Sequence, residues 1–420
     1  MSEFTYPAEL PIVPMTKSPH ATVSVPGSKS ITNRAMVLAA LASRSGPCEL
    51  TGALRSEDTE VMVDCLTRLG FRVDADWPTV TVHANTSGRI IPAESAELFV
   101  ANSGTTMRFV TAMVALGHGR YRLDGIPRMR ERPIRDLLDA LQQLGVDAVS
   151  DAGNGCPPVT ITTTGLAGDT VRIRAGLSSQ FLSGLMMAVP FADHPIAVQT
   201  DGPVVSEPYI EMTQHMLRQW GRHAPRYAIE PDASAASYFF AIPAILGGDI
   251  AVRGMRRDML QGDVKFVEAL EQMGCIVEHT PDGIRLAFDP TGRTLRGIDI
   301  DMNAISDTVM TLAVVALFAD GPTTIRNVAH IRHKETDRIA AVATELRKLG
   351  AEVEERDDGL TIHPRPLTGC AVDTYNDHRM AMSLALVGLK VPGVVIRNPG
   401  CVAKTYPGFW HDLEKLRGPA

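Results

Sequence analysis

Lysine is scarce in this chain: only eight of its 41 basic residues are lysine, against 48 aspartates and glutamates. The net charge of −7 excludes the broad positive surface that nucleic acid or an anionic membrane requires, though not a local cationic pocket. Cysteine is scarcer still. Six residues (positions 48, 65, 156, 275, 370 and 401) stand far apart, with no CxxC pair and no histidine cluster at ligand spacing. That excludes a disulfide framework and a structural zinc site, and leaves reduced thiols that mostly fill core. No apolar run reaches bilayer-spanning length; the longest, such as Leu312 to Ala319, are core-sized. The first residues lack a basic start followed by an apolar stretch, so a cytoplasmic protein without a secretory signal is expected. Nucleotide motifs are missing as well. Ser28, not glycine, precedes Lys29 in PGSKS, which defeats a Walker reading, and no GxGxxG follows a strand. No GxSxG or HExxH occurs.

What is present is a 420-residue chain, 45% hydrophobic and 21% charged, enough for two or three soluble domains with their own cores. It repeats internally. MVDCLTRLGFRVD, LLDALQQLGVDAV, VEALEQMGCIVE and ATELRKLGAEVE each read as an amphipathic helix, a glycine stop and a strand; HMLRQWGRHAP is a weaker fifth. Gly70, Gly145, Gly221, Gly274 and Gly350 stop these helices at intervals of 75, 76, 53 and 76 residues, each where a left-handed C-cap is expected. A second helix type is apolar almost all round and therefore expected to be buried. Its six copies begin near Ser30, Gly104, Ser179, Asp232, Asp307 and Asp377, at intervals of 74, 75, 53, 75 and 70. Both series shorten at the same place. The pattern predicts six mixed helix and strand units, three per half, with a third unit about 20 residues short and a boundary within residues 222–229.

Polar residues concentrate where the apolar helices begin: Lys29, Ser30 and Arg34; Asn102, Ser103 and Gly104; Ser178, Ser179 and Gln180; Asp232 and Ser234; Asp307; Asn376, Asp377, His378 and Arg379. Taken alone, Ser103 and Ser234 read as ordinary N-caps. Capping does not account for Lys29, Arg34 or Arg379, because a cation at the positive end of a helix needs an anionic partner. Several such ends with arginines would suit a phosphate or carboxylate. Lys29, Lys334 and Lys404 sit within dense polar motifs, while the remaining lysines read as solvated surface. In HKETDR, Glu335 and Arg338 are spaced to share one helix face, as either a functional pair or an exposed ion-paired helix start.

Taken together, VPGSKSITNRA, ANSGTTMR, PRMRERPI, SSQFLSGLMM, VSEPYIEMT, EPDASAASYF, GDV, HKETDR, YNDHRMAM and VAKTYPGFW resemble, in order, the EPSP synthase (3-phosphoshikimate 1-carboxyvinyltransferase) family over about residues 20 to 410. The resemblance implies an α/β fold: an inside-out α/β barrel in each of two three-repeat domains, one about 27–229 and the other 1–26 plus 230–420, with the active site in the cleft between them. It also implies transfer of the enolpyruvyl group of phosphoenolpyruvate to the 5-hydroxyl of shikimate 3-phosphate, with release of phosphate. Phosphoenolpyruvate would be held by Lys29, Gly104, Arg132, Gln180, Arg338, Arg379 and Lys404. Shikimate 3-phosphate would be held by Lys29, Ser30, Arg34, Ser178, Ser179, Gln180, Ser206, Tyr209, Asp307, His330 and Lys334. Asp307 is the implied base, Glu335 the implied acid that protonates the methylene carbon, and Lys29 helps to move protons. Glu335, among cations, must recover proton affinity either from bound anions or from domain closure. No metal or organic cofactor, nucleic acid or membrane is implied; a monomer acting on small molecules is.

Three departures from the family pattern stand out. His330 replaces the usual asparagine and could bring pH dependence; Phe109 follows Arg108 where many members carry proline; and the third unit is short. Gly104 points to sensitivity to glyphosate, a phosphoenolpyruvate-site inhibitor of the family. The sister enzymes that use UDP-N-acetylglucosamine typically carry a loop cysteine between the second and third units, and here none lies between Cys65 and Cys156. An inactive metabolite-binding homologue is the other alternative, opposed by the intact Asp307, Glu335, Lys29, Arg132 and Lys404.

Overall fold

The structure, a computed structural model, describes residues 4–221 and 223–417; Arg222, at the head of the expected boundary stretch, lies outside the described residues. The chain is an α/β protein of two compact units, residues 27–230 and residues 1–26 with 231–420. Its helices are α1 (Lys29–Ala42), α2 (Glu57–Arg68), α3 (Gly104–Val114), α4 (Arg135–Gln143), α5 (Ser179–Ala188) and α6 (Pro208–Trp220), followed by α7 (Ala233–Leu246), α8 (Phe266–Gln272), α9 (Val309–Ala316), α10 (Arg338–Lys348), α11 (His378–Gly388) and α12 (Phe409–Lys415).

Odd and even helices differ as their residue patterns require. The odd ones are buried on every side: α9 buries all of Val309–Ala316, and α7 all of Ala233–Ile245. Each large side chain on α7, such as Phe239 or Ile242, contributes roughly 1.5–3 kcal/mol by leaving water. The even helices bury one stripe, as α4 does with Leu137, Leu138, Ala140 and Leu141. Glycines 70, 145, 274 and 350 adopt φ between 78° and 108° just past α2, α4, α8 and α10. Gly221, after α6, departs from this with φ 52° and ψ −127°. α12 is a further helix without the glycine-then-strand signature, and so stands outside the repeat pattern of the sequence.

The strands explain the short interval. In residues 27–230, Ser95–Phe99 pairs in parallel with His118–Asp124, which continues into the antiparallel hairpin Asp147–Ser150 and Val159–Thr164. The first sheet follows the same plan with Cys48–Thr51 and the hairpin Val73–Asp76 and Thr79–Val82. The third is only the parallel pair Thr170–Ile173 and Ala197–Thr200. Among the described residues no hairpin follows α6; Arg226–Ala228 instead runs beside Cys48–Thr51 and completes the first sheet. In the other unit the N-terminal strands do the equivalent work. His20–Val23 lies parallel to Gly248–Arg253, and Glu9–Pro11 pairs antiparallel with Val395–Arg397. The missing residues are thus a missing hairpin. Among the described residues the strands lie in separate sheets, and none closes into a continuous barrel.

Candidate active site

In residues 27–230 the helix starts are held by side chains that cap their own turns. Ser28, Ser103 and Ser178 accept from the backbone N–H of Ile31, Thr106 and Gln180 at 3.2–3.4 Å. Asn33 donates to Thr105 Oγ1 at 2.7 Å and ties α1 to α3. Lys29 Nζ lies 3.2 Å from the buried Asp58 carboxylate on the first turn of α2, which answers the question of its anionic partner. Arg132 donates to the Asn102 carbonyl at 3.1 Å and lies against Gly104. A Cβ at residue 104 would stand 2.5 Å from Arg132 Nη2, so only glycine leaves room for this guanidinium at the head of α3. Arg108 braces the same place, donating to the carbonyls of Pro133 at 2.8 Å and Gly104 at 3.4 Å.

Arg34 joins α1 to α5 and α6. Its Nε donates to Thr213 Oγ1 at 2.8 Å, Nη1 to the Ser30 carbonyl at 3.0 Å, and Nη2 to Ser183 Oγ at 3.1 Å and the Tyr209 carbonyl at 3.3 Å. Its Cζ stands 5.0 Å from the Phe109 ring and 5.8 Å from Tyr209. Burial lowers it to about 10, so it stays charged at neutral pH. Phe109 therefore packs on Arg34 within a regular α3. Ser179 and Ser206 are buried at the starts of α5 and α6, and Gln180 lies on the first turn of α5.

In the other unit the cations interlock with carboxylates. Arg338, 1% exposed, donates from Nε to Asp377 at 2.8 Å, from Nη1 to Asp307 at 3.1 Å and from Nη2 to Glu335 at 2.9 Å. Arg379 Nη2 donates to the other Asp307 oxygen at 2.7 Å, and Lys404 Nζ lies 3.7 Å from Glu335 Oε1. Burial alone would lower Arg338, but Asp377, Glu335 and Asp307 together hold it above the ordinary arginine value. Asp377 also caps α11 by accepting from Arg379 N–H at 2.9 Å. Breaking such a buried lattice by removing one member costs about 3–5 kcal/mol.

Several sequence expectations change here. Glu335 and Arg338 meet, but not along a helix face: Asp337 caps α10 by accepting from Ala340 N–H at 3.0 Å, so Glu335 lies ahead of the helix. Both are buried, which removes the exposed ion-pair reading. Asp307 lies in the 3-10 segment Asn303–Thr308 ahead of α9. Ser234 does not cap α7. Asp232 does, accepting from Ala235 N–H at 2.9 Å, while the Ser234 hydroxyl donates to buried Asp263. Lys390 and Lys348 are not plain solvated surface: Lys390 donates to the Ile245 carbonyl at 2.8 Å, and Lys348 pairs with buried Glu345 at 2.7 Å. His330 is buried with Nε2 2.9 Å from Ser306 Oγ. Burial, and then the Lys334 charge, pulls it down to about 3, so the imidazole is neutral near pH 7 and brings no pH dependence there.

Sequence reasoning missed Asp58, Asp263 and the cation-holding role of Asp377. Asp263 lay in the GDV motif; burial first, then the Asp307 charge, pushes it up to about 6. A further signal is visible only in the backbone. The non-glycine residues with positive φ are Ala101, Ser206, Asn327, Tyr375, Asn376 and Asn398, each at 47–63° among the described residues. They stand just ahead of Gly104, Tyr209, His330, Asp377 and the 3-10 turn that ends at Lys404. Such conformations cost about 1–3 kcal/mol each and persist where surrounding contacts enforce them. Among the described residues, no group of three or more His, Cys, Asp and Glu is placed to hold a metal ion, and no helix is long and apolar enough to cross a membrane.

Cations at helix starts, interlocked with buried carboxylates in an α/β frame, are groups of the kind that hold anions and move protons. The family model described as EPSP synthase (3-phosphoshikimate 1-carboxyvinyltransferase) matches residues 15–413. A 3-phosphoshikimate 1-carboxyvinyltransferase of Nostoc punctiforme is 46% identical over 409 residues, covering 93% of this chain and 95% of its own. One from Thiobacillus denitrificans is 46% identical over 421 residues, covering 94% and 96%. The solved EPSP synthase of Acinetobacter baumannii matches with a TM-score of 0.79 at 25% identity, covering 97% of this chain and 98% of that one. The chain belongs to the EPSP synthase family.

Proposed function

We propose that the chain transfers the enolpyruvyl group of phosphoenolpyruvate to the 5-hydroxyl of shikimate 3-phosphate and releases phosphate. The observation that carries this reading is the buried lattice in which Asp307 and Glu335 share Arg338 and are each bound by a second cation, Arg379 and Lys404. In this reading Asp307 takes the proton of the 5-hydroxyl as its oxygen attacks C2, and Glu335 delivers a proton to C3. Loss of a C3 proton and of phosphate then restores the double bond in the product. Phosphoenolpyruvate falls to Lys29, Gly104, Arg132, Gln180, Arg338, Arg379 and Lys404. Shikimate 3-phosphate falls to Ser30, Arg34, Ser178, Ser179, Ser206, Tyr209, Asp307, His330 and Lys334, with Lys29 and Gln180 shared. An incoming phosphate or carboxylate competes for Arg379 and Lys404 and so frees Asp307 and Glu335 for proton transfer; this favours bound anions as the means of activating Glu335.

The finer architecture belongs to the same proposal: three repeats per domain in an inside-out barrel, both domains contributing to one active site, and a cytoplasmic monomer open to glyphosate at Gly104. The test measures phosphate release from phosphoenolpyruvate with shikimate 3-phosphate and, in parallel, with UDP-N-acetylglucosamine. Release with shikimate 3-phosphate alone, abolished in the Asp307→Ala, Glu335→Gln variant, is the expected result. Binding of both ligands without release would overturn the reading.

A further inference from the structure

α10 carries Arg338 into the lattice at its first turn and, seven residues and two turns later on the same face, Glu345. Glu345 is fully buried, near the C-terminal end of the helix, where a carboxylate is disfavoured by the unpaired carbonyls. It is held there by three donors. Its Oε2 accepts from Asp373 N–H at 3.0 Å and pairs with Lys348 Nζ at 2.7 Å; its Oε1 accepts from the Tyr375 hydroxyl at 2.6 Å. Lys348 in turn reaches the Asp373 carboxylate at 2.9 Å. Two of the three donors belong to the short loop that precedes α11.

That loop has an unusual backbone. Tyr375 and Asn376 are consecutive non-glycine residues with φ of 53° and 54°, a conformation rare in pairs because the Cβ crowds the neighbouring carbonyl. Directly after it, Asp377 N–H donates to the Thr374 carbonyl at 2.8 Å, and the Asp377 carboxylate caps α11 and grips Arg338. Asn398, itself at φ 52° ahead of the Lys404 turn, donates to Asn376 Oδ1 at 3.1 Å. The loop therefore sets the position of the carboxylate that orients Arg338, and it touches the turn that presents Lys404.

We infer that Glu345, through the Tyr375 hydroxyl and the Asp373 amide, is a positioning residue for the anion-binding cations: it holds the left-handed Tyr375–Asn376 turn that aims Asp377 at the Arg338 guanidinium and at the Arg379 backbone N–H. This rests on the functional reading above. Tyr375 is 41% exposed, so Tyr375→Phe removes one hydroxyl without opening the core.

For Tyr375→Phe, KM for phosphoenolpyruvate is expected to rise about tenfold, with KM for shikimate 3-phosphate within about twofold and the melting temperature lowered by about a few degrees at most, since one of three donors to a buried carboxylate is lost. Amide hydrogen exchange at Asp373 and Asp377, which needs no turnover, is expected to speed up about tenfold. Glu345→Gln turns a donor toward Lys348 or the Asp373 amide and should act in the same direction more strongly. Unchanged exchange at both amides in Tyr375→Phe overturns the inference whatever the enzyme's activity. Equal rises in both KM values with a melting temperature lowered beyond that overturn it too, since they indicate general loosening. A wild-type protein that releases no phosphate defeats the functional reading instead, and the exchange result then decides the positioning role alone.

Discussion

The two units handle buried positive charge in opposite ways. In residues 27–230, Arg34 rests on hydroxyls and backbone carbonyls, Arg108 and Arg132 also donate to backbone carbonyls, and Lys29 lies against the Asp58 carboxylate. In the other unit Arg338, Arg379 and Lys404 are interlocked with Asp307, Glu335 and Asp377. A neutral oxygen orients a guanidinium without cancelling its charge, so the first arrangement keeps its attraction for anions. A carboxylate cancels the charge but can carry a proton. In the function proposed above, the first arrangement holds anions and the second couples holding them to proton transfer.

The largest effect should come from the carboxylates. Asp307→Ala and Glu335→Gln are each expected to lower kcat by about 10²–10⁴-fold, while phosphoenolpyruvate binding measured by calorimetry is retained or tightened, because a competing carboxylate is gone. A kcat within about tenfold of wild type would erase the chemical half of the comparison.

Removing a cation should separate the units by stability. Arg338→Met removes a cation that three buried carboxylates share and is expected to cost about 3–5 kcal/mol in urea unfolding. Arg132→Met, which strands a carbonyl and an amide oxygen, should cost only about 1–2 kcal/mol yet weaken anion binding. Equal losses would mean that the partners' charge is immaterial.

Gly104→Ala sharpens the comparison at one atom. Its Cβ would displace Arg132 by several tenths of an ångström or more, and KM for phosphoenolpyruvate should rise about tenfold with a smaller change in kcat. Steady-state kinetics with a wild-type KM would show that Arg132 does not need that position.

Near pH 7 the smallest effect is expected from His330, which is neutral there and acts on stability only on acidification. Its folded value, about 3, lies below the ordinary histidine value near 6.5, so the unfolded chain takes up a proton first as pH falls. Stability should therefore fall on acidification through the window from about 6.5 to about 3, by about 2 kcal/mol at pH 5 relative to pH 8. His330→Asn should flatten that part of the profile in denaturant titrations, and an unchanged slope would assign the loss to other groups.

Much of this was legible in the residue order because it is local. Apolar periodicity separates the buried odd helices from the striped even ones, and a glycine after the last apolar position marks where each outer helix stops. Ser103 reads as a cap and is one. Ser234 reads as a cap and is not, because capping depends on which residue leaves the helical backbone first, and here Asp232 does. The shared 53-residue spacing announces a missing piece, yet only strand pairing identifies it as a hairpin whose place in the sheets is taken up elsewhere.

The site divides in the same manner. That Lys29 and Arg379 need anionic partners follows from helix polarity and could be read from the chain's pattern alone; Arg34, read in the same way, rests instead on hydroxyls and backbone carbonyls. Which carboxylate partners which cation could not be read that way. Asp58 meets Lys29 across 29 residues, Asp377 meets Arg338 across 39, and Asp307 meets Arg379 across 72. Local pattern governs contacts within a turn or two, whereas these pairings depend on how whole helices pack, and Coulomb energy rewards only the charges that packing brings within a few ångströms.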